Sequence, residues 1–111
     1  MPLDSATVTT VTQATSKSTG VTCSSLFGSI TTHNASLAAA AEVGFTVTNT
    51  LVNATDVIAL SIKSGATADS YHVGVDAVAS GSFRITITNV SAGSLGEAIV
   101  INFVVIKSSN A

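Results

Sequence analysis

The run Ala98-Ile99-Val100-Ile101-Asn102-Phe103-Val104-Val105-Ile106-Lys107 constrains this chain more than any other stretch. It is almost wholly β-branched or aromatic, is too short for a membrane span, and lies between Gly96 and Ser108-Ser109-Asn110. A strand that is apolar on both sides is normally covered on both, so the run predicts a central strand of a buried sheet. The rest of the chain must then supply a partner on each edge and a layer on each side.

Further strands are legible upstream. Val57-Ile58-Ala59-Leu60-Ser61-Ile62-Lys63 is a second almost fully apolar run and a natural neighbour for the first. Three segments alternate instead: Val43 to Asn49 with Val43, Phe45 and Val47 on one face, Tyr71 to Val78 with Tyr71, Val73 and Val75 inward, and Ser82 to Asn89 with Phe83, Ile85 and Ile87 inward. Val21 to Ile30 is weakly patterned and predicts one or two short strands, the second at about Gly28 to Thr32. Asn34 to Ala41 has helix propensity but no amphipathic stripe, and is short enough to read as a loop or a single helical turn. Asn49-Thr50, Asn53 to Asp56, Ser64 to Ser70, Ala79 to Gly81 and Val90 to Glu97 carry turn chemistry.

Residues 1–20 are polar and rich in Thr and Ser, with Val8 and Val11 fitting neither period, so they predict an extended N-terminal arm or an edge strand. Seven or so strands with turn signals every 8 to 12 residues give an all-β fold, an antiparallel β-sandwich of jelly-roll or immunoglobulin-like type. The expected division is an arm over 1–20 and a sandwich domain over 21–111.

At 111 residues the chain holds one core. Only 9% of residues are charged while 46% are hydrophobic, against roughly 25% charged in ordinary soluble domains. Either hydroxyls solvate the surface or part of it is buried against another molecule, and both are expected here. Lys17, Lys63, Arg84 and Lys107 are scattered in a chain of net charge -2, which disfavours a nucleic-acid partner. Met1-Pro2-Leu3-Asp4-Ser5 lacks a basic region followed by an apolar run, so no signal peptide is expected, and no segment has the roughly 20 apolar residues of a membrane helix.

Catalytic residues are hard to find. Ser70, His72 and Asp69 could be assembled as a triad on paper, yet there is no Gly-x-Ser-x-Gly elbow, and His72 on an alternating strand points to solvent. No His-x-His, His-Glu-x-x-His or Asp-rich loop suggests a metal, and no cofactor motif is present. Cys23 is the single cysteine, read as a small buried side chain. Three Asn-x-Ser/Thr triplets, at Asn34, Asn53 and Asn89, read as turn-forming asparagines. Thr-x-Thr pairs at Thr7/Thr9, Thr10/Thr12, Thr46/Thr48 and Thr86/Thr88 would form an ice-binding ladder only if held in register on adjacent strands; the plainer reading is a solvated face.

Val11 to Thr22 and Ser91 to Lys107, together with Phe45-Thr46-Val47-Thr48-Asn49, resemble a group of short structural proteins of tailed bacteriophages and prophages. The resemblance runs from about Val8 to the end and rests on packing motifs. It implies a non-enzymatic virion protein, assembled in the host bacterial cytoplasm. The best match within that group is a capsid decoration, or cement, protein that sits as a homotrimer on the major capsid protein shell. The alternative it implies is a receptor- or glycan-binding module of a tail or head appendage. For the decoration protein, Thr7, Val8, Thr10 and Val11 of the arm are the expected contacts to a neighbour.

Overall fold

The structure, a computed structural model, describes residues 9–108, which form eight strands and no helix. They are β1 (Thr9–Thr12), β2 (Val21–Thr22), β3 (Phe27–Thr31), β4 (Glu42–Thr48), β5 (Val57–Ser64), β6 (Tyr71–Ala79), β7 (Ser82–Asn89) and β8 (Val100–Ile106). Two four-stranded sheets pack face to face, ordered β1-β3-β8-β5 and β2-β4-β7-β6, and are called sheets A and B below.

The chain alternates between the sheets at every connection but one. The exception is the β6–β7 hairpin, closed by Ser80 and Gly81, where Gly81 takes φ +87° as a two-residue turn requires. The first two double crossings return the chain beside its earlier strand and in the same direction. Hence β1 pairs with β3 and β2 with β4 in parallel, while the remaining pairs are antiparallel. Both sheets are therefore mixed, which corrects the wholly antiparallel expectation.

β8 is central in sheet A, flanked by β3 and β5, as its composition required. Its covering is not as expected. Ile101, Phe103 and Val105 are buried toward sheet B, but Val100, Asn102 and Val104 are only half-buried and Ile106 is 49% exposed. Among the described residues, none forms a second layer over the other face of this most apolar strand.

Between the sheets the core is made by Ile30 of β3, Phe45 and Val47 of β4, Phe83, Ile85 and Ile87 of β7, and the inward residues of β8. Phe83 and Phe103 meet edge to face with ring centroids 5.2 Å apart. The Phe103 ring lies over Gly28, its direct partner on β3, where a Cβ would come within 2.3 Å of it and 2.8 Å from Cys23 Sγ. Gly28 is the gap into which the largest side chain of β8 fits, and buried Cys23 is its neighbour.

From Thr9 onward the N-terminal segment is part of this body rather than an arm standing off it: Thr9–Thr12 is the edge strand of sheet A. The turn that follows is fastened by polar side chains. Gln13 is buried, donates through Nε2 to the carbonyls of Lys17 and Thr19, each at 2.9 Å, and accepts from His33 N. Lys17 is also buried, and its ammonium donates to the carbonyls of His33 and, at 2.7 Å, Glu97. Thr7 and Val8 lie outside the described residues. Asn34 to Ala41 is a loop, joined to the β7–β8 connection through Leu37 and Leu95.

Candidate functional site

The surface that departs most from an ordinary solvated sheet is the outer face of sheet A. Strand pairing arranges its side chains in rows. At one end Val57 faces Ile106, at 54% and 49% exposure. The next row is Ala59, Val104 and Phe27, then Ser61, Asn102, Ser29 and Thr10, and finally Val100, Thr31 and Thr12. The face thus grades from aliphatic and aromatic to hydroxyl. Lys63 is the one charged residue among these outward positions.

The centre of the face is fixed. Ser29 Oγ donates to Asn102 Oδ1 at 2.6 Å, so an amide that interrupts the apolar run of β8 is held by its cross-strand partner. Around this pair are two shallow depressions of about 250 Å³ each, both bordered by Phe27 and Asn102. Both are open, and their polar lining is confined to Ser29, Ser61, Lys63 and Asn102. The face suits a broad, flat contact.

The four residues expected to make contacts divide accordingly. Thr10 is exposed on the outer face of sheet A, at its hydroxyl end. Val11 points the other way, opposite Ile30, and packs on the core. Thr7 and Val8 are not among the described residues. The contribution of Phe27, Val104 and Ile106 escaped sequence reasoning, which assigned the apolar strand residues wholesale to the interior.

A second cluster joins the sheets at one end. Glu97 accepts from Tyr71 Oη at 2.8 Å, from Thr67 N at 2.9 Å and from the Thr67 hydroxyl. The backbone N–H of Thr67, first, and the Tyr71 phenol hold the Glu97 carboxyl below the usual carboxylate range. Burial, reinforced by that carboxylate, pushes the Tyr71 phenol well above the ordinary tyrosine value. Burial likewise lowers the Lys17 ammonium, whose direct partners are neutral carbonyls. At the far end the Lys107 ammonium lies 2.6 Å from the buried Asp56 carboxylate and, as the main cause, lowers its pKa. Glu97 and Asp56 are thus each engaged by donors of the fold itself.

Ser70 Oγ donates to the Ala68 carbonyl, and no hydrogen bond joins it to His72 or Asp69. Among the described residues no three His, Cys, Asp or Glu side chains form a group able to hold a metal, and no helix is long and apolar enough to cross a membrane. The Thr pairs of sheet B are out of register: Thr86 faces Gly44 and Gly74, Thr88 faces Glu42 and His72, and Thr46 faces Arg84. Asn34 and Asn53 are exposed, whereas Asn89 is fully buried, donating to the carbonyls of Leu37 and Gly93. Comparison with known protein families, with curated proteins and with solved structures finds no match to the chain.

Proposed function

We propose that the protein is a non-enzymatic structural block whose work is association. In its specific form, it is a bacteriophage decoration protein of jelly-roll or immunoglobulin-like sandwich type that binds the major capsid protein shell as an oligomer. The virion context rests on the resemblance of Val11 to Thr22 and Ser91 to Lys107 to phage structural proteins. The observation that carries the association itself is the bare apolar outer face of sheet A, with Phe27, Val104, Val57 and Ile106 exposed or half-exposed. Covering such a face removes apolar area from water at about 25 cal/mol per Å². Binding only to the assembled shell stabilises that state by mass action, which is the physical content of cementing.

The area sets a condition. Its four strands, about 4.8 Å apart and four to eight residues long, present roughly 380 Å² in plan, about half of one side of a standard interface. A single copy held by this face alone binds weakly, so the reading requires either oligomerisation or a further contact from Thr7 and Val8.

The test is the protein content of purified particles of the encoding phage, followed by shell binding of a Val104→Lys variant. The wild type is expected on the shell, and the variant, folded but charged at the centre of the face, is expected to be lost from it. Absence of the wild-type protein from the particles overturns the virion reading. Binding of the isolated chain to host cells or a glycan array, without shell binding, selects the appendage module instead.

A further inference from the structure

The four edges of the two sheets are unequally guarded. An edge strand offers N–H and C=O groups that have no partner in its own sheet, and proteins blunt such rows by brevity, bulges or charge. β2 has two residues, and β1 has four among those described. β6 has nine but loses register between Asp76 and Ala79, where Ala77 takes φ +65°, and Asp76 adds a charge. β5 lacks these devices along most of its length. It pairs regularly with β8 from Val57 to Ile62, and its one register shift and one charge, Lys63, come at its far end.

The core also stops short at this edge. Ile101, Phe103 and Val105 of β8 are buried, whereas Ile58, Leu60 and Ile62, pointing the same way from β5, are only half-buried. The outward Val57, Ala59 and Ser61 are exposed. Both sides of β5 therefore have apolar or neutral surface still to cover.

We propose that the free edge of β5 pairs antiparallel with β5 of a second copy about a two-fold axis through Leu60, joining two A sheets into one of eight strands. A two-fold axis perpendicular to the sheet keeps both cores on one side, which requires inward residues to face inward residues. Centred on Leu60, Ile58 faces the partner's Ile62 and Leu60 faces the partner's Leu60, so the inward row Ile-Leu-Ile reads the same in both directions. A self-complementary pattern is what an isologous contact demands. Outward, Ala59 faces the partner's Ser61, and Val57 faces the partner's Lys63, whose aliphatic stem can lie over it. No like charges oppose one another along the pair.

The alternative of head-to-tail closure fits poorly. Pairing β5 with β1 of another copy matches eight residues to the four described for β1 and sets Thr9 and Val11 against the Ile-Leu-Ile row. The two-fold pairing also places two outer faces side by side, doubling the roughly 380 Å² of one copy to about the size of one side of a standard interface. The inference is independent of which shell or partner that face meets, and it replaces the trimer implied by the resemblance with a dimer.

Light scattering on the full chain at tens of micromolar tests it, with an expected mass twice that of the 11.0 kDa chain. A monomer or a trimer overturns the proposal. Ala59→Lys/Ser61→Lys, at two exposed positions, sets like charges directly opposite in this register and is expected to weaken the dimer at least tenfold with the circular dichroism spectrum unchanged. Ala59→Lys/Ser61→Glu sets opposite charges there and restores it. A folded double-lysine variant that keeps the wild-type mass shows that β5 is not the contact, and failure of the charge-swapped variant to recover the dimer overturns pairing about Leu60.

Discussion

β7 and β8 occupy equivalent places, each the third strand of a four-stranded sheet and each flanked on both edges. Their burial is the same, alternating half-buried and buried from first residue to last but for exposed Ile106. The outward residues differ completely. β7 shows Ser82, Arg84, Thr86 and Thr88 to solvent, with Arg84 paired to Asp76 at 3.0 Å, whereas β8 shows Val100, Asn102, Val104 and Ile106. The core makes the same demands on the two strands, so packing between the sheets does not account for the aliphatic exterior of β8. The exteriors are thus unevenly made: sheet B is solvated by hydroxyls and an ion pair, whereas sheet A is apolar at one end and carries hydroxyls only toward the other.

The largest expected effect that separates the sheets comes from their glycines. Gly28→Ala in sheet A drives a methyl group into the Phe103 ring and toward Cys23, and overpacking of this kind costs about 1–3 kcal/mol. Gly74→Ala in sheet B meets only the Thr86 hydroxyl, at 3.7 Å, in ordinary contact. Urea unfolding of the two variants is expected to lower the midpoint for Gly28→Ala and leave Gly74→Ala within about 0.5 kcal/mol of wild type. Equal losses would mean that the Phe103 ring moves aside freely and that the sheets do not differ in packing.

An effect of similar size is expected where the sheets are tied together. Tyr71→Phe removes the hydrogen bond from a neutral phenol to the Glu97 carboxylate, a bond to a charged group of the kind that contributes about 1.5–3 kcal/mol, although the Thr67 contacts remain. The pH dependence has a definite sign. The folded chain holds the Tyr71 proton more tightly than the unfolded chain does, so the contribution is complete below the unfolded value of 10.0 and is lost as pH rises beyond it. Glu97 acts oppositely: its depressed folded pKa gives stability that is present above 4.5 and lost as pH falls. Thermal melts of Tyr71→Phe across pH are expected to lose the alkaline decline and to show a shallower acid one. An unchanged alkaline limb would sink this assignment.

Most of the strands could be read from side-chain period, because strict alternation such as Phe83, Ile85, Ile87 has one structural solution. The parallel edges could not. β1 and β2 are too short for a pattern, and their direction follows from two successive crossings that no local signal reports. Lys17 is buried through its ammonium's contacts with two carbonyls distant in sequence, and Ser16 to Gly20 reads simply as a turn. The misreading of Val100 to Ile106 was of another kind. Period reports that a side chain shuns water, but not whether its own chain supplies the cover.

The smallest expected effect isolates that last point. Val104→Thr gives β8 the exterior of β7, and Thr86→Val does the reverse. Both sites are outward and half-buried, and both residues are β-branched, so each exchange is expected to change monomer stability by less than about 0.5 kcal/mol. The Arg84–Asp76 pair, with side chains 42% and 56% exposed, likewise contributes only about 0–1 kcal/mol, and Arg84→Ala measures it. Association behaves differently. Binding of an apolar dye or of partner surface is expected to fall for Val104→Thr and to stay at the wild-type level for Arg84→Ala, because sheet B's exterior lies on the opposite side of the core. If Val104→Thr instead lowers folding stability by several kcal/mol and leaves association unchanged, the apolar exterior of β8 belongs to the fold after all, and the contrast between the two central strands carries no function.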